Sequence, residues 1–102
     1  MAVIWTGSAV LALKEVFDNY LERASRPVAE KIRDAIVDRT EMLQQFKQIG
    51  QKEEMLKSLN KGHRYLLEYD HKIIYYNQGN DSYITDVFPV RMNPSKLPKR
   101  NK

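Results

Sequence analysis

The sequence predicts an α+β fold, in which an N-terminal strand and an antiparallel helix hairpin precede a three-stranded antiparallel meander. Three observations predict it: a short β-branched and aromatic segment at residues 2–6, apolar residues three or four positions apart from about 9 to 49, and a two-residue period after Gly62. Because the later strands follow the helices without alternating with them, we expect the helices to pack on one face of the sheet.

The first two elements are a strand at residues 2–6 and an amphipathic helix at residues 9–24. Ile4 and Trp5 favour a strand, and Ser8 is a typical residue for the helix N-cap. The apolar positions of the helix recur at the spacing of one helical face: Val10, Leu13, Phe17, Tyr20 and Leu21.

A second helix is predicted to begin at Ser25-Arg26-Pro27 and to continue to Ile49, where Gly50 supplies a stop. Its length is about 35 Å at the helical rise per residue. The turn between the helices is short, so they should form an antiparallel hairpin. The core face of the second helix is expected to carry Ile32, Ile36, Leu43 and Phe46.

The meander is predicted from three segments rich in Tyr, Ile, Leu and Val, at residues 63–69, 72–77 and 82–88. Turn-like residues separate them at 70–71 and 78–81. Beyond the last strand, Asn93-Pro94 and Pro98 argue against regular structure. We therefore expect a single domain at residues 1–95 and a mobile basic tail at residues 96–102.

The composition excludes several classes of protein. The chain has 102 residues and no cysteine, which excludes disulfides, thiolate metal sites and a cysteine nucleophile and favours a cytoplasmic location. No stretch reaches the roughly 18 apolar residues of a membrane span, so we expect no membrane partner. Met1 to Leu13 lacks the basic start of a signal peptide.

The positive charge is concentrated at the C-terminal end. The whole chain carries a formal charge of +4. Residues 1–86 contain 12 basic and 13 acidic side chains, whereas residues 87–102 contain five basic side chains and no acidic one. A general nucleic-acid binder would usually carry basic residues across its folded elements too. The electrostatic field for an anionic partner is therefore expected beyond Asp86: Arg91, Lys96, Lys99, Arg100 and Lys102.

No strong catalytic motif is present, because the chain lacks a phosphate loop, a zinc spacing and a nucleophile elbow. We expect no metal and no cofactor, since His63 and His71 flank a strand and lie near its opposite ends.

A weaker signal is the basic cluster Lys57, Lys61, His63 and Arg64, for which a solvated face is the simple interpretation. If Arg64 and Arg91 shared one rim of the sheet, they would suit a phosphate and RNA cleavage, with His63, Glu68 or a lysine as base.

Four segments of the chain, with the N-terminal strand and helix hairpin, resemble the RelE/ParE toxin superfamily over residues 2–97. The segments are GHRYLL at 62–67, YDHKIIY at 69–75, YITDVF at 83–88 and RMNP at 91–94. The resemblance implies the toxin of a bacterial type II toxin–antitoxin (plasmid stabilisation) system, cytoplasmic and neutralised by a cognate antitoxin.

The resemblance leaves two activities open. ParE-like members inhibit DNA gyrase without being hydrolases, and RelE-like members are ribosome-dependent mRNA endoribonucleases. Arg64 matches the arginine that opens the second strand, and Arg91 the arginine after the last strand. RelE-like enzymes place a catalytic aromatic residue or histidine soon after the latter, where this chain has Met92, Asn93 and Pro94. We therefore favour the ParE-like branch.

The resemblance also assigns candidate residues to each alternative. In a ribonuclease, Arg64 and Arg91 would stabilise the phosphate, and Lys57, Lys61 or His63 would assist proton transfer. In either case the antitoxin, in a hetero-oligomer with the toxin, should bring acidic and apolar residues. It would contact the basic residues Arg64, Arg91, Lys96, Lys99 and Arg100. It would also contact an apolar stripe whose residues recur every seven positions: Val28, Ala35, Met42 and Ile49. An inactive orphan is the third alternative.

Overall fold

The computed structural model describes residues 2–102 as two long helices and a short one around a five-stranded sheet. The helices are α1 (Gly7–Arg23), α2 (Arg26–Thr40) and α3 (Leu97–Arg100). The strands are β1 (Val3–Trp5), β2 (Gln51–Lys52), β3 (Arg64–Glu68), β4 (His71–Gln78) and β5 (Asp81–Pro89). Among these residues no helix combines the length and the apolar character needed to cross a membrane.

The sheet confirms the predicted meander and extends it at both edges. Its strand order is β1-β5-β4-β3-β2, with β3, β4 and β5 antiparallel to their neighbours. β1 pairs with β5 in parallel, with Ile4 opposite Tyr83. β2 was not predicted; it is only two residues long and pairs with the start of β3. Its residues, Gln51 and Lys52, are polar and exposed and give no two-residue apolar period.

The helix starts depend on side chains that accept hydrogen bonds from the first turn. Ser25 caps α2 as expected, accepting from the amide of Val28 at 3.3 Å. The cap of α1 is Thr6, not Ser8: the Thr6 hydroxyl accepts from the amide of Ala9 and donates to the carbonyl of Ile84 at 2.7 Å. Ser8 instead donates to the carbonyl of Thr85. The strand beside β1 therefore decides where α1 begins.

The prediction that the second helix continues to Ile49 is wrong, because α2 ends at Thr40. A 3-10 turn follows at Glu41–Gln44, and then an irregular segment. The amide of Gly50 donates to the Tyr75 hydroxyl at 2.9 Å, and that hydroxyl donates to the carbonyl of Lys47 at 2.8 Å. These contacts with β4 replace the helical hydrogen bonds that residues 41–49 would otherwise make.

Apolar side chains fill both faces of the sheet. α1 and α2 pack together on one face, as predicted, and bury the residues of the larger core: Ala9, Ala12, Val16, Ile32, Ile36, Leu43, Leu66, Ile73, Tyr75, Ile84 and Val87. A smaller core on the other face contains Leu56, Ile74, Phe88 and Leu97. The 3-10 helix Glu54–Leu59 and α3 supply its outer side chains. Phe46, an expected core residue, is 55% exposed because α2 ends before it.

The structure also contradicts the prediction of a mobile tail at residues 96–102. Leu97 is fully buried and Asn101 is 5% exposed. The Arg100 guanidinium grips the Asp86 carboxylate with Nε–Oδ2 at 2.9 Å and Nη2–Oδ1 at 2.6 Å. The basic residues that suggested solvation therefore include one that is paired with a buried acid, and this pair anchors α3 to the sheet.

Candidate functional site

Arg64 and Arg91 lie at opposite ends of the sheet, so the expected two-arginine rim does not form. Arg64 opens β3 and is in register with Tyr75 of β4, which is in register with Ile84 of β5. Arg91 follows Pro89, the last residue of β5. β3 and β5 run in the same direction on either side of β4, so both strands start at the same end of the sheet. Five residues separate Ile84 from Pro89, about 17 Å of strand.

Arg64 is committed to holding the segment after α2. Its Nη1 donates to the carbonyl of Gly50 at 2.7 Å and to the carbonyl of Gln48 at 3.2 Å. Its side chain therefore closes the same segment that Tyr75 fixes from β4. Half-buried and bonded in this way, the guanidinium supports the local fold through Nη1, while Nη2 contacts Gln48 Oε1 at 3.5 Å and Nε makes none of these bonds.

Arg91 instead lies exposed beside an open cleft between α1 and the end of β5. It has no ion pair among residues 2–102. The cleft comprises two adjoining cavities of about 210 and 100 Å³, both lined by His71, Pro89 and Arg91. The larger one also includes Glu15 and Asn19 from α1. An exposed guanidinium over a partly apolar cleft is suited to a carboxylate or a phosphate.

His71 is the residue of this cleft that the sequence reasoning missed, since the sequence shows it only as one of two histidines near opposite ends of a strand. It is 5% exposed, and its Nδ1 donates to the carbonyl of Tyr69 at 2.5 Å. Burial lowers the pKa of His71 below its ordinary value; the Tyr69 and Glu68 carbonyls and the Asp70 carboxylate oppose this, and Arg91 adds to the lowering. The imidazole is therefore neutral at pH 7. The ring packs against Tyr20 of α1, at 6.1 Å between ring centroids, and no local sequence signal indicates that contact.

The basic residues predicted for the C-terminal tail divide into two kinds. Lys96 and Lys99 are exposed on the surface of the final segment. Arg100 is half-buried, and its pKa is raised by its hydrogen bonds to Asp86. The guanidinium also lies over the ring of Phe88, at 5.3 Å from its centroid. Arg100 thus forms a structural ion pair with Asp86, which already compensates its positive charge.

The basic cluster Lys57, Lys61, His63 and Arg64 belongs to the far end of the sheet from Arg91. Lys57 and Lys61 are exposed, and the Lys61 ammonium lies 5.1 Å from the ring centroid of Tyr76. His63 is 3% exposed. A ribonuclease site combining these residues with Arg91, as expected from the sequence, is therefore not assembled. No group of three acidic or histidine side chains placed to hold a metal occurs in residues 2–102.

Comparisons with known proteins identify the family. A model of the ParE toxin of the type II toxin–antitoxin system parDE matches residues 3–94. The chain belongs to the ParE toxin family. A solved structure titled as the chromosomal ParDE toxin–antitoxin system from P. aeruginosa is similar to this ParE-family chain, with 26% identity and a TM-score of 0.75. The similarity covers 88% of this chain and 96% of that one. Among curated proteins no match was found.

The seven-residue apolar stripe does not form one helical face in this ParE-family chain. Val28 and Ala35 belong to α2, but Met42 lies in the following 3-10 turn and Ile49 beyond it. Val28 is 39% exposed, Met42 39% and Ile49 43%, whereas Ala35 is half-buried. The predicted continuous stripe is wrong because α2 stops at Thr40. Contact of these side chains with an antitoxin stays a prediction.

Proposed function

We propose that the chain is a cytoplasmic toxin that poisons DNA gyrase by binding to it, and that a cognate antitoxin neutralises it. Membership of the ParE toxin family over residues 3–94 supports a toxin of a ParDE pair. The observation that carries the choice of mechanism is the separation of Arg64 from Arg91 across the sheet. The two guanidiniums of the expected cleavage site cannot act on one phosphate, so the geometry supports binding over hydrolysis.

The cleft at Arg91 is the surface that best fits a protein target. It offers an exposed guanidinium beside apolar walls from Val16, Val87 and Pro89, with Glu15 and Asn19 on the α1 side. A charged anchor within an apolar depression is typical of residues that dominate a protein interface. The same chemistry suits an acidic and apolar antitoxin segment, so we expect antitoxin and target to compete for Arg91.

A supercoiling assay with purified gyrase and toxin tests this function. We expect the wild-type toxin to inhibit supercoiling, and Arg91→Ala to need about tenfold more protein, the effect of losing one charged contact worth about 1.4 kcal/mol. Lys31→Ala is the control, because it removes one positive charge from an exposed position on α2, a helix that does not line the cleft. Full supercoiling at a large excess of wild-type toxin would contradict the proposal.

The placement of His71 and Arg91 in one cleft favours one second candidate, an mRNA endoribonuclease. A neutral buried imidazole beside an unpaired guanidinium has the components of a proton acceptor and a phosphate anchor. In this alternative Arg91 keeps the role expected from the sequence, and His71 takes the place of Lys57, Lys61 or His63. Primer extension on a translated message decides between the two: new 5′ ends that disappear in Arg91→Ala would establish cleavage, and their absence alongside gyrase inhibition would exclude it.

A further inference from the structure

A second cavity lies at the opposite end of the sheet from Arg91, and the proposed function makes no use of it. Its volume is about 360 Å³, within the range of ligand pockets. It lies between the 3-10 helix Glu54–Leu59 and the start of β3. Its walls come from eight residues: Lys52, Glu53, Glu54, Lys57, Asn60, Gly62, His63 and Arg64.

The free charges around this cavity are mainly positive. Lys52 and Lys57 are exposed, and neither makes an ion pair within residues 2–102. One acid of the walls, Glu53, is buried and its Oε2 accepts from the Lys72 ammonium at 2.7 Å. The other, Glu54, is exposed and also makes no ion pair within residues 2–102. An anion in the cavity therefore meets two ammoniums and the guanidinium of Arg64 against one free carboxylate.

His63 is an independent indication that this cavity binds a ligand. It is 3% exposed, and neither ring nitrogen has a hydrogen-bond partner in the structure. Its neighbour is the ring of Tyr76, edge-on at 5.4 Å between centroids, and neither imidazole nitrogen forms a hydrogen bond with it. Buried polar groups almost always have partners, so an imidazole with none requires an explanation.

We propose that this cavity binds a phosphate group, held by Lys52, Lys57 and Arg64 and coupled electrostatically to His63. Tetrahedral oxyanions take several cationic donors from different directions, which is what these three side chains offer. The cavity exceeds the size of a bare phosphate, so a nucleotide or the backbone of a nucleic acid is the expected source. The two sources share the phosphate and differ in how many nucleotides follow it.

The coupling gives binding a characteristic pH dependence. Burial lowers the pKa of His63, the Lys61 ammonium lowers it further, and Glu53 opposes them. The ring also has the Tyr76 phenol of β4 beside it and shares the cavity with four further charged groups: Lys52, Glu54, Lys57 and Arg64. A bound dianion stabilises the imidazolium, so the bound state takes up a proton that the free state does not. Sulfate stays a dianion over this range, whereas phosphate itself takes up a proton, so the affinity for sulfate should rise as the pH falls below 7.

Isothermal titration of the purified full chain with sodium phosphate, then with AMP and with a short DNA strand, tests the site. We expect saturable phosphate binding that Lys57→Ala weakens about tenfold. Lys31→Ala removes the same charge from an exposed position on α2 and should leave the affinity within twofold. AMP binding as tightly as the DNA strand indicates a free nucleotide, and a much tighter DNA strand indicates a backbone phosphate.

His63→Gln separates the coupling from simple charge attraction. Glutamine fills similar space and does not titrate, so this variant should lose the increase in sulfate affinity that the wild type shows between pH 7.5 and pH 6. Circular dichroism confirms that each variant is folded. Absence of saturable binding by all three ligands overturns the site, and so do equal losses in Lys57→Ala and Lys31→Ala. A pH dependence unchanged in His63→Gln overturns the coupling.

Discussion

The hydroxyl of Tyr75 fixes the segment that leaves α2, although its ring lies in the core. The side chain is fully buried, and its oxygen both accepts from Gly50 and donates to Lys47. Gly50 has no room for a side chain, because a Cβ there would lie 2.6 Å from the same oxygen. Burial raises the pKa of the Tyr75 phenol, so it remains protonated and able to donate.

Tyr75→Phe should lower the free energy of unfolding by about 1–3 kcal/mol, because it leaves the buried amide of Gly50 without a partner, whereas the Lys47 carbonyl keeps its hydrogen bond from Asn77 at 3.0 Å. Urea denaturation monitored by circular dichroism measures the change. Tyr69→Phe is the control, since Tyr69 is 43% exposed and should change stability by less than about 0.5 kcal/mol. Equal stability of the two variants would show that the hydroxyl contributes little.

At the scale of residues, local chemistry was predictable and long-range chemistry was not. Ser25 was found as a cap because a cap bonds to residues beside it in the chain. Thr6 was missed in favour of Ser8, since the choice depends on Ile84, 78 residues away. The environments of His63 and His71 were missed for the same reason. Other elements cover both histidines, and the residues beside them in the chain do not indicate this burial.

The C-terminal segment is attached to the sheet by one ion pair and a small apolar core. The Asp86 carboxylate, buried in β5, accepts two hydrogen bonds from Arg100 and one from the Asn101 amide at 3.1 Å. Leu97 adds a fully buried side chain. Attachment by so few contacts makes Arg100 decisive for the whole element.

Arg100→Ala should destabilise the chain by about 3–5 kcal/mol, because it leaves the Asp86 carboxylate buried without its cation. Hydrogen exchange should show faster exchange of the amides of α3 before any change in β4. Lys99→Ala, the adjacent exposed position, should leave both readouts unchanged. If α3 remains protected in Arg100→Ala, Leu97 rather than the ion pair holds the element.

At the scale of elements, periodic segments were predictable and their ends were not. α1 and the meander strands have strong periods and were found. β2 has two polar residues, and α3 is four residues long and contains Pro98, so neither shows a period. α2 was predicted too long because Leu43 keeps the helical spacing; its side chain reaches the core from a 3-10 turn instead.

At the scale of the molecule, the two histidines make stability depend on pH. They are the chain's only histidines, both are buried, and the folded-state pKa of each is lowered by burial. The unfolded chain therefore binds more protons than the folded chain below about pH 6.5, the ordinary histidine value. Stability is full above that pH and falls as the pH drops toward the folded pKa values, by at most about 1.4 kcal/mol per pH unit for each histidine.

Urea denaturation between pH 7.5 and pH 5.5 should record this loss in the wild type. The double variant His63→Gln and His71→Gln should show a flatter profile over the same range, because carboxylates titrate mostly below it. A wild-type profile as flat as that of the double variant would mean that neither imidazole is deprotonated by burial.

The parallel pairing of β1 with β5 has a consequence for the synthesis of the toxin. The amide of Ala2 donates to the side chain of Asp81, 79 residues further along the chain. Closing so long a loop costs conformational entropy before the contacts between β1 and β5 can offset it. A ribosome delivers β1 early, but its neighbour in the sheet exists only after residue 89 has been added. Until then α1 and α2 lack the strand that they cover, so the cleft around Arg91 assembles only when translation has passed it.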